Sequence, residues 1–320
     1  MTKLYILMTA SLVVLSLASL FLGVSTMTLA EIVSGNNEHL RILLVSRIPR
    51  LLSVLVTGVG MSISGLIMQQ LTRNRFVSPT TAATIDFARL GMLLSLFFFT
   101  GASLFQRMSF AFISALGGTL LFMVFMRRIK FQNTIFIPLI GIMLGNVVSS
   151  ATMFIALRYD LVQNINNWAQ GNFATILRGN YELIFVSVPL VVVAFVFAQK
   201  FTIAGMGEDF STNLGLNYQV IVNIGLVIIA LISASIVVTV GTIPFVGLIV
   251  PNLVAMRVGD NLKHTLPLTA LAGALFLLAS DMISRIVVFP HEISISLVVG
   301  VIGSGLFLYL LMKRGRSYGS

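Results

Sequence analysis

The chain has 320 residues, of which 57% are hydrophobic and only 9% charged. A soluble domain is about one quarter charged, so the sequence lacks the polar surface that a water-exposed globule of this size needs, and a disordered chain is excluded on the same ground. Cysteine is absent, which removes disulfides, thiolate metal sites and cysteine nucleophiles; the net charge of +10, which in a soluble protein would suggest nucleic acid, fits the Lys and Arg excess of cytoplasmic loops.

A spanning helix needs roughly 20 mostly apolar residues. The first candidate covers about 4–29. Lys3 ahead of an apolar run resembles a signal peptide, but Leu4 to Ala30 is uncharged and longer than a secretory core of roughly 7–15 residues, so it reads as an uncleaved span. Further candidates follow at about 50–71, 79–100, 108–126, 134–157 and 182–199. Phe210 to Met256 is uncharged and too long for one helix; the Gly241-Thr242-Ile243-Pro244 break divides it into 220–240 and 243–258. The last two candidates are 266–288 and 294–312, and Pro49, Pro79 and Pro267 lie near span starts, where a missing N–H costs least. The expectation is an all-α membrane protein, a single transmembrane domain over 1–320 with about ten helices.

Ten spans put both termini on one side. With that side in the cytoplasm, twelve Lys and Arg residues fall inside and seven outside, which favours an N-in, C-in arrangement. All seven outer cations are Arg: Arg41, Arg47, Arg50, Arg107, Arg158, Arg178 and Arg285. Arginine offers a bidentate fork to carboxylates, so this set suggests a carboxylate-bearing partner; the alternative is snorkelling to lipid headgroups.

Several chemistries are missing. No G-x-x-x-x-G-K-[ST] occurs, so the chain has no P-loop. His291-Glu292 begins like a zinc-binding H-E-x-x-H, but position 295 is Ile. Thr239-Val240-Gly241 continues as Thr242-Ile243, unlike a potassium filter. No catalytic, metal or cofactor site is expected.

Three motifs carry a family resemblance. The first is Arg47-Ile48-Pro49-Arg50-Leu51, followed by Gly58, Gly60, Ser64-Gly65, Gln69 and Arg73-Asn74, with Arg75 where the family has proline. The second runs from Gly241-Thr242-Ile243-Pro244-Phe245 through Val246-Gly247-Leu248-Ile249-Val250-Pro251-Asn252. The third is Ala279-Ser280-Asp281 with Arg285, then Pro290, Glu292-Ile293 and Gly300, with Ser294 at a usual proline position. Over about residues 40–312 the sequence resembles the FecCD-type permeases, which import iron-siderophores, haem and vitamin B12. The resemblance implies a type II ABC importer permease in the bacterial inner membrane. Its implied partners are a second permease (a heterodimer is favoured over a homodimer), two copies of an ABC ATPase and a periplasmic or lipoprotein solute-binding protein. Asp86, Arg89 and the Arg73-Asn74-Arg75-Phe76 turn resemble the branch handling catecholate or petrobactin-type chelates more than the vitamin B12 branch. The implied substrate is a ferric siderophore, with haem and cobalamin as alternatives.

The same resemblance assigns residues. Arg47, Arg50 and Arg285 match positions that receive acidic side chains of the binding protein. The loop 200–219, with Gly205, Gly207, Glu208, Asp209, Leu214 and Gly215, resembles the segment that couples to the ATPase; the bland alternative is a solvated connector. Asn74 and Phe76 match the place of an inner gate, or else Phe76 is an interfacial anchor. Asp86 and Arg89 stand where many members have small residues. They are either a self-neutralising pair between helices or a border of the translocation path, with Arg89 offering charge to an anionic chelate. An ion-coupled secondary transporter using Asp86 and Asp281 is the alternative of another class, and a structural scaffold is a third. Small-residue spacings such as Gly60/Ser64 and Gly141/Gly145 read as helix packing.

Overall fold

The computed structural model describes residues 2–23, 37–79, 83–99, 101–128, 136–259 and 261–317. The end of the first predicted span beyond Gly23, and Lys130, lie outside the described residues. The described chain is helical, without strands: α1 Thr2–Phe21, α2 Asn37–Thr72, α3 Thr84–Phe98, α4 Leu104–Arg128, α5 Phe136–Arg158, α6 Val162–Ala169, a 3-10 turn Glu182–Val186 leading into α7 Ser187–Val196, α8 Ala198–Ala204, α9 Glu208–Asn213, α10 Tyr218–Val240, α11 Val246–Val258, α12 Leu262–Ile286 and α13 Ile295–Ser317. Each of the ten predicted segments holds helix. Among the described residues six helices are long and apolar enough to cross a membrane, or seven if the pair Glu182–Val196 and Ala198–Ala204, bent by 65°, counts as one. α3 has 15 residues and α11 has 13, about 22 and 20 Å of helix, short of a ~30 Å hydrocarbon core.

The fold is arranged around α2. Every residue from Gly60 to Gln69 is buried, the pattern of a helix with no lipid face, and α12, α10 and α11 pack around it. α1 and α5, by contrast, present mostly exposed apolar side chains such as Leu7, Val14, Val147 and Phe154.

α2 begins earlier than the predicted 50–71. It runs from Asn37, with a π-helical turn over Leu43–Arg47 just before Pro49. Proline lacks an N–H and its ring crowds the carbonyl four residues back, here Val45. The wider turn accommodates the ring, and the freed Val45 carbonyl accepts the backbone N–H of Arg178 at 2.9 Å. Pro251 inside α11 repeats the device: the carbonyl four residues back, Gly247, accepts from Gln69 Nε2 at 3.3 Å, and Leu248 accepts from the same amide at 3.1 Å. In each case a proline releases a backbone acceptor that a neighbouring segment uses.

Close approach of α2 depends on glycine. A Cβ at Gly58 would fall 2.5 Å from the Gly273 carbonyl of α12, and one at Gly65 would collide with the Gly247 backbone of α11. With hydrogen at these places the backbones meet, and Ser62 Oγ donates across the gap to the Thr269 carbonyl at 3.1 Å. Overpacking of this kind costs about 1–3 kcal/mol or more. Gly65→Ala should therefore lower the melting temperature of the detergent-solubilised protein, whereas Gly117→Ala, where an added methyl meets nothing within 4 Å, should leave it unchanged in the same thermal-shift assay.

Candidate functional site

Three polar regions lie along the α2 axis. At its N-terminal end, Arg47, Arg50 and Arg285 come together, all buried, at 8%, 8% and 5% exposure. Arg50 donates to Asp281 Oδ1 from Nη2 at 2.9 Å and from Nε at 3.2 Å, and to Glu292 Oε2 from Nη1 at 2.7 Å. Arg285, one turn beyond Asp281 on α12, holds the other carboxylate oxygen, Oδ2, and donates to the carbonyls of Ser19 and Leu22. Arg47 donates to the Leu22 carbonyl as well. Charge pairing and carbonyl donation thus tie the end of α1, α2, α12 and the turn before α13. A buried charge left unpaired is costly, whereas charge-assisted hydrogen bonds are short and strong. Both Asp281 oxygens are occupied by arginine, so this carboxylate is not open to a coupling ion.

In the middle, α10 and α11 are separated by an irregular stretch. Gly241 has φ +85° and Phe245 φ +66°. The Thr242 N–H bonds the Ala169 carbonyl at 2.9 Å and the Asn172 N–H bonds the Val240 carbonyl at 3.0 Å. Ser296 Oγ of α13 donates to Thr242 O at 2.6 Å, and Ser294 Oγ to Gly171 O at 2.6 Å. These links satisfy non-helical backbone that would otherwise be untenable at membrane depth. Beside them opens a broad cavity of about 410 Å³, lined by Arg89, Asn166, Gln170, Thr242, Pro244 and Ser296 among others. Asp86 and Arg89 do not form an ion pair among the described residues. The Asp86 carboxylate lies against Gly145 of α5, while Arg89 reaches the cavity.

At the C-terminal end, Arg73 closes α2 in a left-handed conformation, φ 48°. Asn74 Oδ1 accepts the Phe76 N–H at 2.9 Å, and Asn252 Nδ2 donates to the Arg75 carbonyl at 2.7 Å. The Phe76 ring meets Phe307 of α13 edge-on at 6.0 Å, and Phe307 meets Phe245 at 6.4 Å, so a run of three aromatic rings links this turn to the α10–α11 break. The 205–215 segment packs onto the same turn. A Cβ at Gly205 would strike the Gln70 amide and one at Gly207 the Arg73 guanidinium. A cavity of about 210 Å³ between them is lined by Gln69, Gln70, Arg73, Arg75 and Gly205. Glu208 and Asp209 occupy the first turn of α9, where acidic groups suit the helix dipole. They are exposed together with Leu214 and Gly215.

The sequence matches the FecCD transport family over residues 11–313. The chain belongs to this family. Among its relatives, the petrobactin import system permease protein YclN of Bacillus subtilis is 54% identical over 95% of this chain and 96% of its own length. The ferric-anguibactin transport system permease protein FatD of Vibrio anguillarum is 38% identical over 93% of this chain and 95% of its own. The solved structure of a metal-chelate type ABC transporter in an inward-facing conformation superposes with a TM-score of 0.87 at 26% identity, covering 98% of this chain and all of the other.

Within this FecCD chain the structure adds residues that motif reading passed over. Met206, Phe210 and Leu214 are exposed and recur every four residues in the sequence, although only Phe210 lies within α9. Phe245 and Phe307 join Phe76, but their partnership crosses three segments and has no local signal. The arginine cluster yields a direct test. Asp281→Asn leaves two buried guanidinium groups without their carboxylate, a loss of about 3–5 kcal/mol, and should abolish accumulation of monodisperse protein in fluorescence-detected size exclusion. Glu292→Gln touches a partly exposed pair and should leave accumulation close to wild type.

Proposed function

We propose that this chain is the transmembrane permease subunit of an ATP-binding-cassette importer that carries a ferric siderophore across the bacterial cytoplasmic membrane. The observation that carries the reading is the 54% identity, over nearly the whole of both chains, to a petrobactin import permease; petrobactin or a chelate of similar chemistry is the proposed cargo. In this reading all ten segments cross, the shorter α3 and α11 being completed by irregular chain at their ends, with both termini in the cytoplasm. A second, related permease faces the broad cavity, two ATPases lie below and a binding protein docks above. The absent P-loop requires that ATP hydrolysis come from a separate subunit.

The proposed site roles are those that the family resemblance implies. Gly205, Gly207, Glu208, Asp209, Leu214 and Gly215 form the ATPase coupling segment, its exposed Phe210 and Leu214 entering a groove of the ATPase. Asn74 and Phe76, with Phe245 and Phe307, form the inner gate. Arg47, Arg50 and Arg285 hold the outer end and present positive charge to the binding protein. A docking carboxylate reaches Arg50 by replacing Glu292, its partly exposed acceptor.

Two outcomes are expected. Purified alone, the chain should hydrolyse no ATP above background. Reconstituted in liposomes with its ATPase, second permease and binding protein, it should take up ferric petrobactin only when ATP is present inside. Phe210→Asp should leave assembly intact and uncouple hydrolysis from uptake. ATP hydrolysis by this chain alone, or uptake driven by a proton gradient without ATP, would sink the reading. For docking, Arg47→Glu should weaken binding-protein association, a desolvated charge contact typically being worth about 2–5 kcal/mol, with a smaller deficit at high salt, as measured by surface plasmon resonance on thermally intact protein.

A further inference from the structure

We infer that the cavity at the α10–α11 break is a binding station for the anionic oxygens of a ferric chelate, carboxylate or catecholate, with Arg89 as its charged contact and Thr242 as a hydroxyl donor. The inference rests on the importer reading and names the charge class that this site accepts.

Four observations converge on it. Arg89 makes no hydrogen bond and no ion pair among the described residues, and its Nε is buried without a partner. A cation within a spanning segment is costly unless a counter-charge meets it; Asp86, one turn away, lies within electrostatic reach of Arg89 but makes no hydrogen bond or ion pair with it, its carboxylate lying against Gly145. Thr242 Oγ1, on the same wall, is likewise buried with no partner. Both groups therefore have donor capacity that the described residues leave unused, and each must turn toward the cavity to offer it, since neither Nε nor Oγ1 is exposed there. Arg89 is the single charged group among the residues lining this cavity, and the side chains of Asn166, Gln170 and Ser296 add hydrogen-bonding groups without adding negative charge. The volume of about 410 Å³ falls within the range of small-molecule sites, roughly 300–1,000 Å³, and part of the wall, Thr242 and Pro244, is the irregular chain between α10 and α11.

The chemistry selects the ligand by charge. Iron(III) held by three hydroxamates is neutral and would leave the guanidinium uncompensated. Iron(III) held by carboxylates or catecholates carries excess negative charge on its ligand oxygens, which suits a guanidinium fork. A hydrogen bond to a charged group is the stronger class, so its loss should weaken binding about tenfold or more.

The test uses the complete reconstituted transporter with ferric petrobactin as probe. Arg89→Gln should raise the KM for uptake about tenfold or more at wild-type assembly yield; Arg89→Lys, which keeps the charge but loses the fork, should recover only part of the loss. Thr242→Val, which removes an unpartnered hydroxyl and little volume, should raise KM by about threefold. Wild-type KM in Arg89→Gln overturns the inference. If Arg89→Gln does not assemble, wild-type KM in Thr242→Val overturns it instead. A wild-type complex that takes up no ferric chelate with ATP refutes the importer reading itself, a result distinct from either variant outcome.

Discussion

Inside a bilayer a backbone carbonyl or N–H has no water to turn to, so every departure from regular helix must be satisfied by another part of the protein. The architecture follows from how this chain meets that demand. Pro49 and Pro251 each deprive a carbonyl of its helical donor, and each time a distant segment supplies one: the Arg178 N–H for Val45 and the Gln69 amide for Gly247. The α10–α11 break is satisfied in the same way by residues 169–172 and by the serines that open α13. The irregular points thus become the joints of the structure. They fix how α2, α10, α11 and α13 sit together, and the broad cavity opens beside the α10–α11 break, walled by Arg89 of α3, the chain around Asn166 to Gln170 and Ser296 of α13.

The two ends of α2 are held by different physics. Near its start, three buried arginines gather around the fully buried Asp281, whose removal strands two guanidinium groups, with the partly exposed Glu292 at the edge of the cluster. At its far end the contacts are neutral amides, backbone carbonyls and aromatic edges. Such contacts can be exchanged one at a time at modest cost. A rigid end and an adaptable end on one buried helix suit a subunit that must keep its shape on one side of the membrane and change it on the other.

Much of this was legible beforehand, and the failures are instructive. Each of the long apolar runs, divided at the Gly241–Pro244 break, coincides with helix, although only six of the described helices, or seven with the bent pair, are long and apolar enough to cross; hydropathy reports removal from water, whether into lipid as for α1 or into the protein as for α2. The start of α2 was placed too late, because Arg41, Arg47 and Pro49 read as a boundary. In the structure the arginines at 47 and 50 are neutralised by Asp281 and Glu292, more than two hundred residues away, or bonded to carbonyls of α1, and the π-turn absorbs the proline. Long-range pairing of that kind leaves no trace in local composition. Asp86 and Arg89, three residues apart, had the spacing of an intrahelical pair, yet the space opposite Gly145 draws the carboxylate one way and the cavity draws the guanidinium another.

The contact between the 205–215 segment and the end of α2 is made where Gly205 and Gly207 press their bare backbone against Gln70 and Arg73. Long side chains facing one another could absorb a displacement by changing rotamer, as a spring does. Here only the Gln70 or Arg73 side chain can yield, and the cavity of about 210 Å³ beside them leaves room for it. The joint is therefore one-sided: a displacement of the 205–215 backbone is met by a change of rotamer at Gln70 and Arg73 before it moves the end of α2.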